Sequence, residues 1–187
     1  MLNVSFKTNV LKKKSSNIVL FVDEKFDIKK QKKELLVSEL NFLSDLLKSS
    51  NLKKKILSFK FNSKKNFFLV SLHKSFKSSH YEELGGEFYN LIKETNNDIQ
   101  FTVNTNGSII KDNLIQYFLH GLKLKSYEFD KYKTKKEKKN ISIFVTGKNI
   151  PAQQIQKKFK ALEEGTFFAR DLVSEPGNIL HPDEYAK

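Results

Sequence analysis

Histidine is the residue type best suited to metal binding or acid–base chemistry in a chain without cysteine, and this sequence has four histidines. They are His73, His80, His120 and His181. A helical zinc site needs two histidines at i and i+4 together with an acidic ligand. No pair of these histidines has that spacing. Surface or helix-capping roles are therefore predicted for all four.

Carboxylates occur as the adjacent pairs Glu82-Glu83, Glu163-Glu164 and Asp183-Glu184. Neighbours on a helix point about 100° apart, so such pairs do not converge on one metal ion or proton. We expect them on solvated helix faces. The absence of cysteine excludes disulfides, thiolate metal sites and a cysteine nucleophile. The residues alone therefore indicate no catalytic residue, no metal ligand and no cofactor-binding residue in this chain.

Glycine spacing does not support a nucleotide-binding loop. Gly85-Gly86 and the isolated Gly107 and Gly121 match neither the phosphate-loop pattern nor the dinucleotide pattern. We predict that these glycines lie in turns or where two elements pack closely.

The formal net charge of +13 is the main argument for a nucleic-acid partner. Of the 34 basic residues only Arg170 is arginine, whereas base reading and bidentate phosphate binding favour the guanidinium group. A solvated lysine-rich surface, typical of an AT-rich genome, is the favoured interpretation. Residues 1–149 carry a net +14 and residues 150–187 a net −1. This change in composition predicts a domain boundary near residue 150.

Hydrophobic patterning predicts alternating strands and helices, hence an α/β fold with a mixed sheet flanked by helices. No apolar run is long enough for a membrane helix, and no secretion signal is recognisable, so a cytoplasmic protein is expected. The predicted strands lie near residues 2–6, 18–22, 56–61, 67–72, 99–103 and 141–145. The predicted helices lie near residues 35–47, 81–95, 108–122 and 152–174.

The last helix is unusually long, and its apolar residues form one predicted stripe. We expect the preceding domain to cover the first half of this stripe and to leave Ala169, Leu172 and Val173 exposed and prone to fraying. We predict that Pro176-Gly177 ends this helix and that Pro182 begins another. The sequence stops five residues later, at Lys187, and so short a helix is not stable alone. A truncated chain is therefore expected. The predicted stripe consists of Ile155, Phe159, Leu162, Thr166, Ala169 and Val173.

Two segments carry a family resemblance. Residues 121–133, Gly-Leu-Lys-Leu-Lys-Ser-Tyr-Glu-Phe-Asp-Lys-Tyr-Lys, resemble the leucyl aminopeptidase segment in which a helix ends in a basic Ser-Tyr-x-Phe-Asp-x-Tyr-Lys run. Residues 169–186, beginning Ala-Arg-Asp-Leu-Val-Ser-Glu-Pro-Gly-Asn, resemble that family's join into the catalytic domain. Ser174 stands where the family more often has asparagine, and Gly177 where alanine or proline is usual. Both segments occur in the family's order and at about its separation.

The resemblance implies that residues 1–150 form an amino-terminal, non-catalytic domain with a macrodomain-like fold. Residues 151–187 would form a linker helix and the start of a missing catalytic domain. The family is a cytosolic, hexameric metalloexopeptidase family that removes amino-terminal residues from peptides. Two manganese or zinc ions activate a bridging water there. Their ligands lie in the later domain, so the fragment alone is expected to be inactive and to bind no metal.

Two other readings remain open. A lysine-rich module with Tyr and Phe near residues 126–139 could bind single-stranded nucleic acid by phosphate contacts and stacking. A macrodomain-like nucleotide pocket is a third reading, for which the sequence names no residues. The expected partners under the leading reading are the chain's own catalytic domain, a homo-hexamer and peptide substrates, with at most weak DNA binding and no membrane.

Overall fold

The computed structural model describes residues 2–7, 17–73, 75–93, 99–105, 114–134, 141–147 and 150–179. Strands and helices alternate through these ranges, with a short 3-10 helix at Lys29–Gln31. The strands are β1 Leu2–Lys7, β2 Asn17–Asp23, β3 Ile56–Asn62, β4 Lys65–Leu72, β5 Ile99–Asn104 and β6 Ile141–Thr146. The α-helices are α1 Val37–Ser49, α2 Ser78–Ile92, α3 Leu114–Lys125 and α4 Gln153–Ser174.

The strands form one mixed sheet in the order β1-β6-β5-β2-β4-β3. Strand β3 pairs antiparallel with β4 through a two-residue turn, and the other pairings are parallel. In the central strand β2, Val19 lies opposite Phe68 on one side and Val103 on the other. Such a central strand needs apolar side chains on both faces, as the run 18–22 predicts. The predicted mixed α/β sheet is confirmed.

Neighbouring residues of β2 point to opposite faces of the sheet, and they are apolar on both faces. Helices therefore cover both faces. Val19 and Phe21 belong to the core beneath α2 and α3, where Phe21 meets Phe118 edge-on at 5.2 Å between ring centroids. Leu20 and Val22 belong to a smaller core, which also holds Leu43 of α1. Helices α2 and α3 thus lie on one face and α1 on the other.

Helices α2 and α3 cross at a backbone-to-backbone contact. A Cβ atom added at Gly85 would lie 1.9 Å from the Phe118 carbonyl oxygen, and one at Gly121 would lie 2.0 Å from the Glu82 carbonyl oxygen. No side chain fits into either space. Close packing is therefore confirmed for these two glycines, while Gly107 lies outside the described residues.

Helix boundaries differ from the sequence expectation in two places. Leu36 precedes α1, where its backbone N–H donates to the Glu39 carboxylate at 3.0 Å, and its side chain is 52% exposed. Helix α2 begins at Ser78, three residues earlier than expected, and its apolar residue Leu91 is 48% exposed. Both leucines match the apolar spacing, but Leu36 lies just before α1 and Leu91 lies at the edge of the buried face of α2. The start of the helix predicted near residues 108–122 and the helix predicted from Pro182 lie outside the described residues.

The glycine crossing generates a stability prediction. Replacing Gly85 with alanine places a methyl group against the α3 backbone, which cannot move without separating the helices. We expect Gly85→Ala to lower the free energy of unfolding by about 3 kcal/mol, the upper end of the range for overpacked interiors. Urea unfolding followed by circular dichroism measures this change.

Gly86→Ala is the matched control in the same helix. A Cβ atom at Gly86 would meet the Lys125 side chain at 3.9 Å, an ordinary contact. Alanine should therefore raise the free energy of unfolding by about 0.5–1 kcal/mol through its better helix propensity. Equal effects of the two substitutions would contradict the backbone crossing.

Candidate functional site

Helix α4 packs on the outer side of α3, away from the sheet. Its contact is centred on Phe159, which is 5% exposed. The Phe159 ring meets Tyr117 and His120 of α3 edge-on, each at 5.0 Å between ring centroids. One aromatic side chain thus anchors the first half of a helix whose other residues are largely solvated.

A buried polar pair lies one turn further along α4. Glu163 Oε1 lies 3.3 Å from His120 Nδ1, and both side chains are at least 85% buried. Burial raises the pKa of Glu163, although His120 and Lys123 oppose the shift. The expected surface or capping role of His120 and the expected solvated position of Glu163 are therefore wrong. Sequence spacing could not reveal this pair because its members lie on different helices, 43 residues apart.

Arg170 joins the second half of α4 to the end of α3. Its Nη1 atom donates to the Leu124 carbonyl oxygen at 2.7 Å. Its guanidinium carbon lies 5.4 Å from the centre of the Tyr127 ring. The carbonyl belongs to the last turn of α3, where backbone acceptors lack helical partners. The single arginine of this chain therefore satisfies an internal acceptor.

The segment after α3 binds the end of α4 through side-chain hydrogen bonds. Tyr127 Oη donates to Asp171 Oδ1 at 2.7 Å, and the two rings of Tyr127 and Phe167 lie 5.3 Å apart. Lys131 Nζ lies 2.5 Å from Glu175 Oε1, and Tyr132 Oη also donates to Glu175. These two donors lower the pKa of Glu175. We call the contact of residues 124–132 with residues 167–175 the clamp.

The clamp joins the two segments that carry the family resemblance. Residues 124–132 fall within the first segment, and Arg170, Asp171 and Glu175 fall within the second. Tyr127, Tyr132 and Lys131 of the first segment are each bound to one of these three residues or to the residues beside them. The two sequence patterns therefore describe one structural unit, which fixes the direction of α4.

The single predicted stripe of α4 is wrong, because one side of the helix packs on the domain and most of its large exposed apolar residues lie on roughly the opposite side. The side toward the domain contains Phe159, Glu163, Phe167 and Arg170. Glu163 and Arg170 are charged, so a pattern of apolar residues alone does not include them. Leu162, expected to be covered, is 48% exposed. The expected exposure of Ala169 and Val173 is confirmed, while Leu172 is half-buried. We call Ala161, Leu162, Gly165, Phe168, Ala169, Leu172 and Val173 the outer face.

The remaining candidate residues have ordinary roles. His80 Nδ1 accepts the Lys77 backbone N–H at 3.1 Å, which confirms a capping role. His73 is exposed and pairs with Glu24 at 2.8 Å. Glu83 is exposed and Glu82 half-buried on α2. His181, Asp183 and Glu184 lie outside the described residues.

Among the residues that the structure describes, no three His, Asp or Glu side chains lie together as a metal site would require. The described part of the chain also contains no helix that is long and apolar enough to cross a membrane. The described residues therefore offer no ligand set for a two-metal centre.

Two curated relatives of this chain share the name probable cytosol aminopeptidase. The chain is 29% identical over 117 residues to the probable cytosol aminopeptidase of Nitrobacter winogradskyi and 37% identical over 83 residues to that of Clostridium perfringens. These alignments cover 59% and 41% of this chain. They cover only 23% and 17% of the relatives' own length. No family model matches the chain.

Solved structures share the fold. A tomato leucine aminopeptidase mutant superimposes with a TM-score of 0.69 at 18% identity, covering 100% of this chain and 41% of the tomato chain. The bottromycin maturation enzyme BotP in complex with Mn gives a TM-score of 0.61 at 13% identity over 92% of this chain and 35% of that one. At such identities the likeness establishes the fold only.

Fold and clamp together define a mixed α/β domain whose last described helix is held by the clamp. The curated homologues identify the family it resembles as the cytosol, or leucyl, aminopeptidases. The resemblance read from residues 121–133 and 169–186 is confirmed.

The buried pair predicts a pH dependence of stability. A carboxyl whose folded-state pKa is raised binds its proton more tightly in the folded than in the unfolded chain, so it costs stability as pH rises through the folded pKa. Glu163→Gln removes this cost. We expect the variant to gain stability relative to the unmodified chain as pH rises above the ordinary glutamate pKa, measured by urea unfolding at a series of pH values.

Glu164→Gln provides the control, since the Glu164 side chain is 67% exposed. The difference in the free energy of unfolding between this variant and the unmodified chain should vary little over the same pH range. A Glu163→Gln difference that also stays constant would contradict the buried position of Glu163.

Proposed function

We propose that residues 1–187 serve as the amino-terminal, non-catalytic domain of a two-metal leucyl aminopeptidase. The observation that carries the proposal is the clamp, in which both family-like segments meet at the helix leading out of the domain. The curated relatives and the aminopeptidase folds support the same reading. Residues 1–150 would form the domain proper, and residues 151–187 the linker helix and the start of the catalytic domain.

The clamp gives this domain a physical task. A helix that leaves a domain freely can swing, whereas α4 is held at Phe159 and Arg170, and Glu175 directly after it is bound by Lys131. It would therefore place the catalytic part at a fixed position relative to the sheet. Such a domain can help to determine how the subunits assemble, for example into a hexamer, and how peptides reach the active site. It would do so without taking part in the chemistry.

The parent enzyme would use two manganese or zinc ions to activate water and polarise the scissile carbonyl of a peptide in the cytoplasm. The chain's own residues contribute orientation of the catalytic part and nothing to the metal centre. Peptides with an amino-terminal leucine would be among its substrates.

An activity assay tests the proposal. Residues 1–187 should show no hydrolysis of a leucyl amide with manganese or zinc added, because the metal ligands of the resembled family would lie in the later domain. The product of the whole reading frame should hydrolyse the same substrate and lose activity with a chelator. Hydrolysis by the purified fragment, or a whole product that is inactive with either metal, would contradict the proposal.

Nucleic-acid binding is the second candidate, favoured by the net charge of +14 over residues 1–149. The single arginine does not support base reading, because its guanidinium group is bound to the Leu124 carbonyl and the Tyr127 ring. Lysines would then contribute phosphate contacts without sequence selectivity.

Binding to a labelled oligonucleotide separates the two candidates. At about 150 mM salt we expect weak binding that falls steeply with added salt and does not depend on sequence, because its source would be counterion release. Fluorescence anisotropy with two unrelated sequences measures this. A sequence-selective complex with a submicromolar Kd at that salt would favour the nucleic-acid module instead.

A further inference from the structure

Positive charge is concentrated on the side of the sheet that α1 covers. Residues 24–65 contain the turn before α1, α1 itself and β3 with its hairpin turn. They include twelve lysines and five acidic residues, a net charge of +7. The described segments on the other side, 75–93, 114–134 and 150–179, include ten basic and nine acidic residues, a net charge of +1. More than half of the net charge of +13 therefore lies around α1.

Two carboxylates on this side are already paired. Glu39 is 3% exposed, and its carboxylate accepts the Leu36 backbone N–H at 3.0 Å and pairs with Lys65. Asp45 pairs with Lys48 of the same helix at 2.9 Å. These carboxylates therefore do not neutralise the exposed lysines in the turn before α1 and in the hairpin.

The contact of Glu39 with Lys65 brings the hairpin turn beside the first turn of α1. Two large apolar side chains are exposed at this point, Leu36 at 52% and Val37 at 77%. Exposed lysines precede them in the chain and also lie in the neighbouring hairpin. Aliphatic side chains exposed among lysines form an amphipathic surface. We call Lys32, Lys33, Leu36, Val37, Lys60 and Lys64 the basic tip.

We propose that the basic tip binds reversibly to the surface of a membrane that contains anionic lipids. The lysines would be attracted by the negative headgroups, and Leu36 and Val37 would enter the boundary between headgroups and acyl chains. The expectation of no membrane partner rests on the lack of a spanning segment, whereas a surface contact needs none. The inference is independent of the proposed function, because the basic tip lies on the opposite side of the sheet from α4.

The aliphatic residues of the basic tip favour a lipid surface over a nucleic acid as the partner. Binding of single strands without sequence preference uses exposed aromatic side chains on which bases stack. The large apolar residues of the tip are a leucine and a valine. The nearby Phe42 and Phe61 are half-buried and pack edge-on at 5.0 Å between ring centroids. The basic tip therefore suits headgroups and acyl chains better than it suits stacked bases.

Vesicle cosedimentation of the product of the whole reading frame tests the inference. We expect binding to vesicles of phosphatidylserine and phosphatidylcholine that weakens as salt is added. Vesicles of phosphatidylcholine alone should bind at least about tenfold more weakly, because they lack the negative surface potential.

Charge reversal locates the contact. Lys32→Glu combined with Lys33→Glu should weaken binding at least about 20-fold, since each lysine near an anionic surface contributes a factor of about five. Lys157→Glu combined with Lys158→Glu is the matched control, because it changes the net charge equally at two exposed positions of α4. It should weaken binding less than about threefold, since charges on the far side of the domain are screened.

Removal of an apolar side chain tests the insertion. Leu36→Ser should weaken binding about fivefold, and serine is favourable at the position before a helix, so the fold should be retained. Leu91→Ser is the matched control, because Leu91 of α2 is 48% exposed on the other side of the sheet. It should leave binding unchanged. Circular dichroism checks the fold of every variant.

Three results would overturn the inference. One is the absence of binding to anionic vesicles. Another is equal weakening by the two charge-reversed variants, because net charge rather than the basic tip would then be responsible. The third is an oligonucleotide or polyglutamate that binds as tightly as the anionic vesicles, with Leu36→Ser without effect on any of them. That result would assign the basic tip to a soluble polyanion.

Discussion

The contact of Phe159 with α3 is the interaction on which the outer part of this structure depends. It buries one aromatic ring between Tyr117 and His120 and thereby sets the distance between α4 and the domain. At that distance Arg170 reaches the Leu124 carbonyl, and the segment after α3 reaches Asp171 and Glu175. Contacts near the chain's carboxyl end thus depend on one buried side chain earlier in the helix.

This arrangement also explains why the apolar residues of α4 do not form one stripe toward the domain. A helix that only covers its own domain needs one apolar side, and its opposite side is normally charged. Here the side toward the domain is partly polar, because Glu163 and Arg170 have partners there, and the side away from it is apolar. The large apolar residues Leu162, Phe168 and Val173 therefore lie where the domain does not reach. That distribution fits a helix that connects two bodies.

Local patterns predicted the fold well, since period-two and period-four spacings report which side of an element is buried. The apolar run 18–22 and the hairpin of β3 and β4 follow from such patterns. The site was only partly predictable. The family-like segments indicated where it lies, but the pairing of His120 with Glu163 and the internal role of Arg170 depend on a contact between helices distant in sequence. The stripe prediction failed because it combined apolar residues from two opposite sides of α4. The resulting stripe lies between those two sides and corresponds to neither.

Native-state hydrogen exchange of residues 1–187 tests the clamped helix most directly. If the clamp holds α4, amides from Thr166 to Ser174 should exchange slowly, and Phe159→Ala should release them while the β2 amides remain protected. Fast exchange over Thr166–Ser174 in the unmodified chain would contradict the account, because the helix would then be free to move relative to the domain.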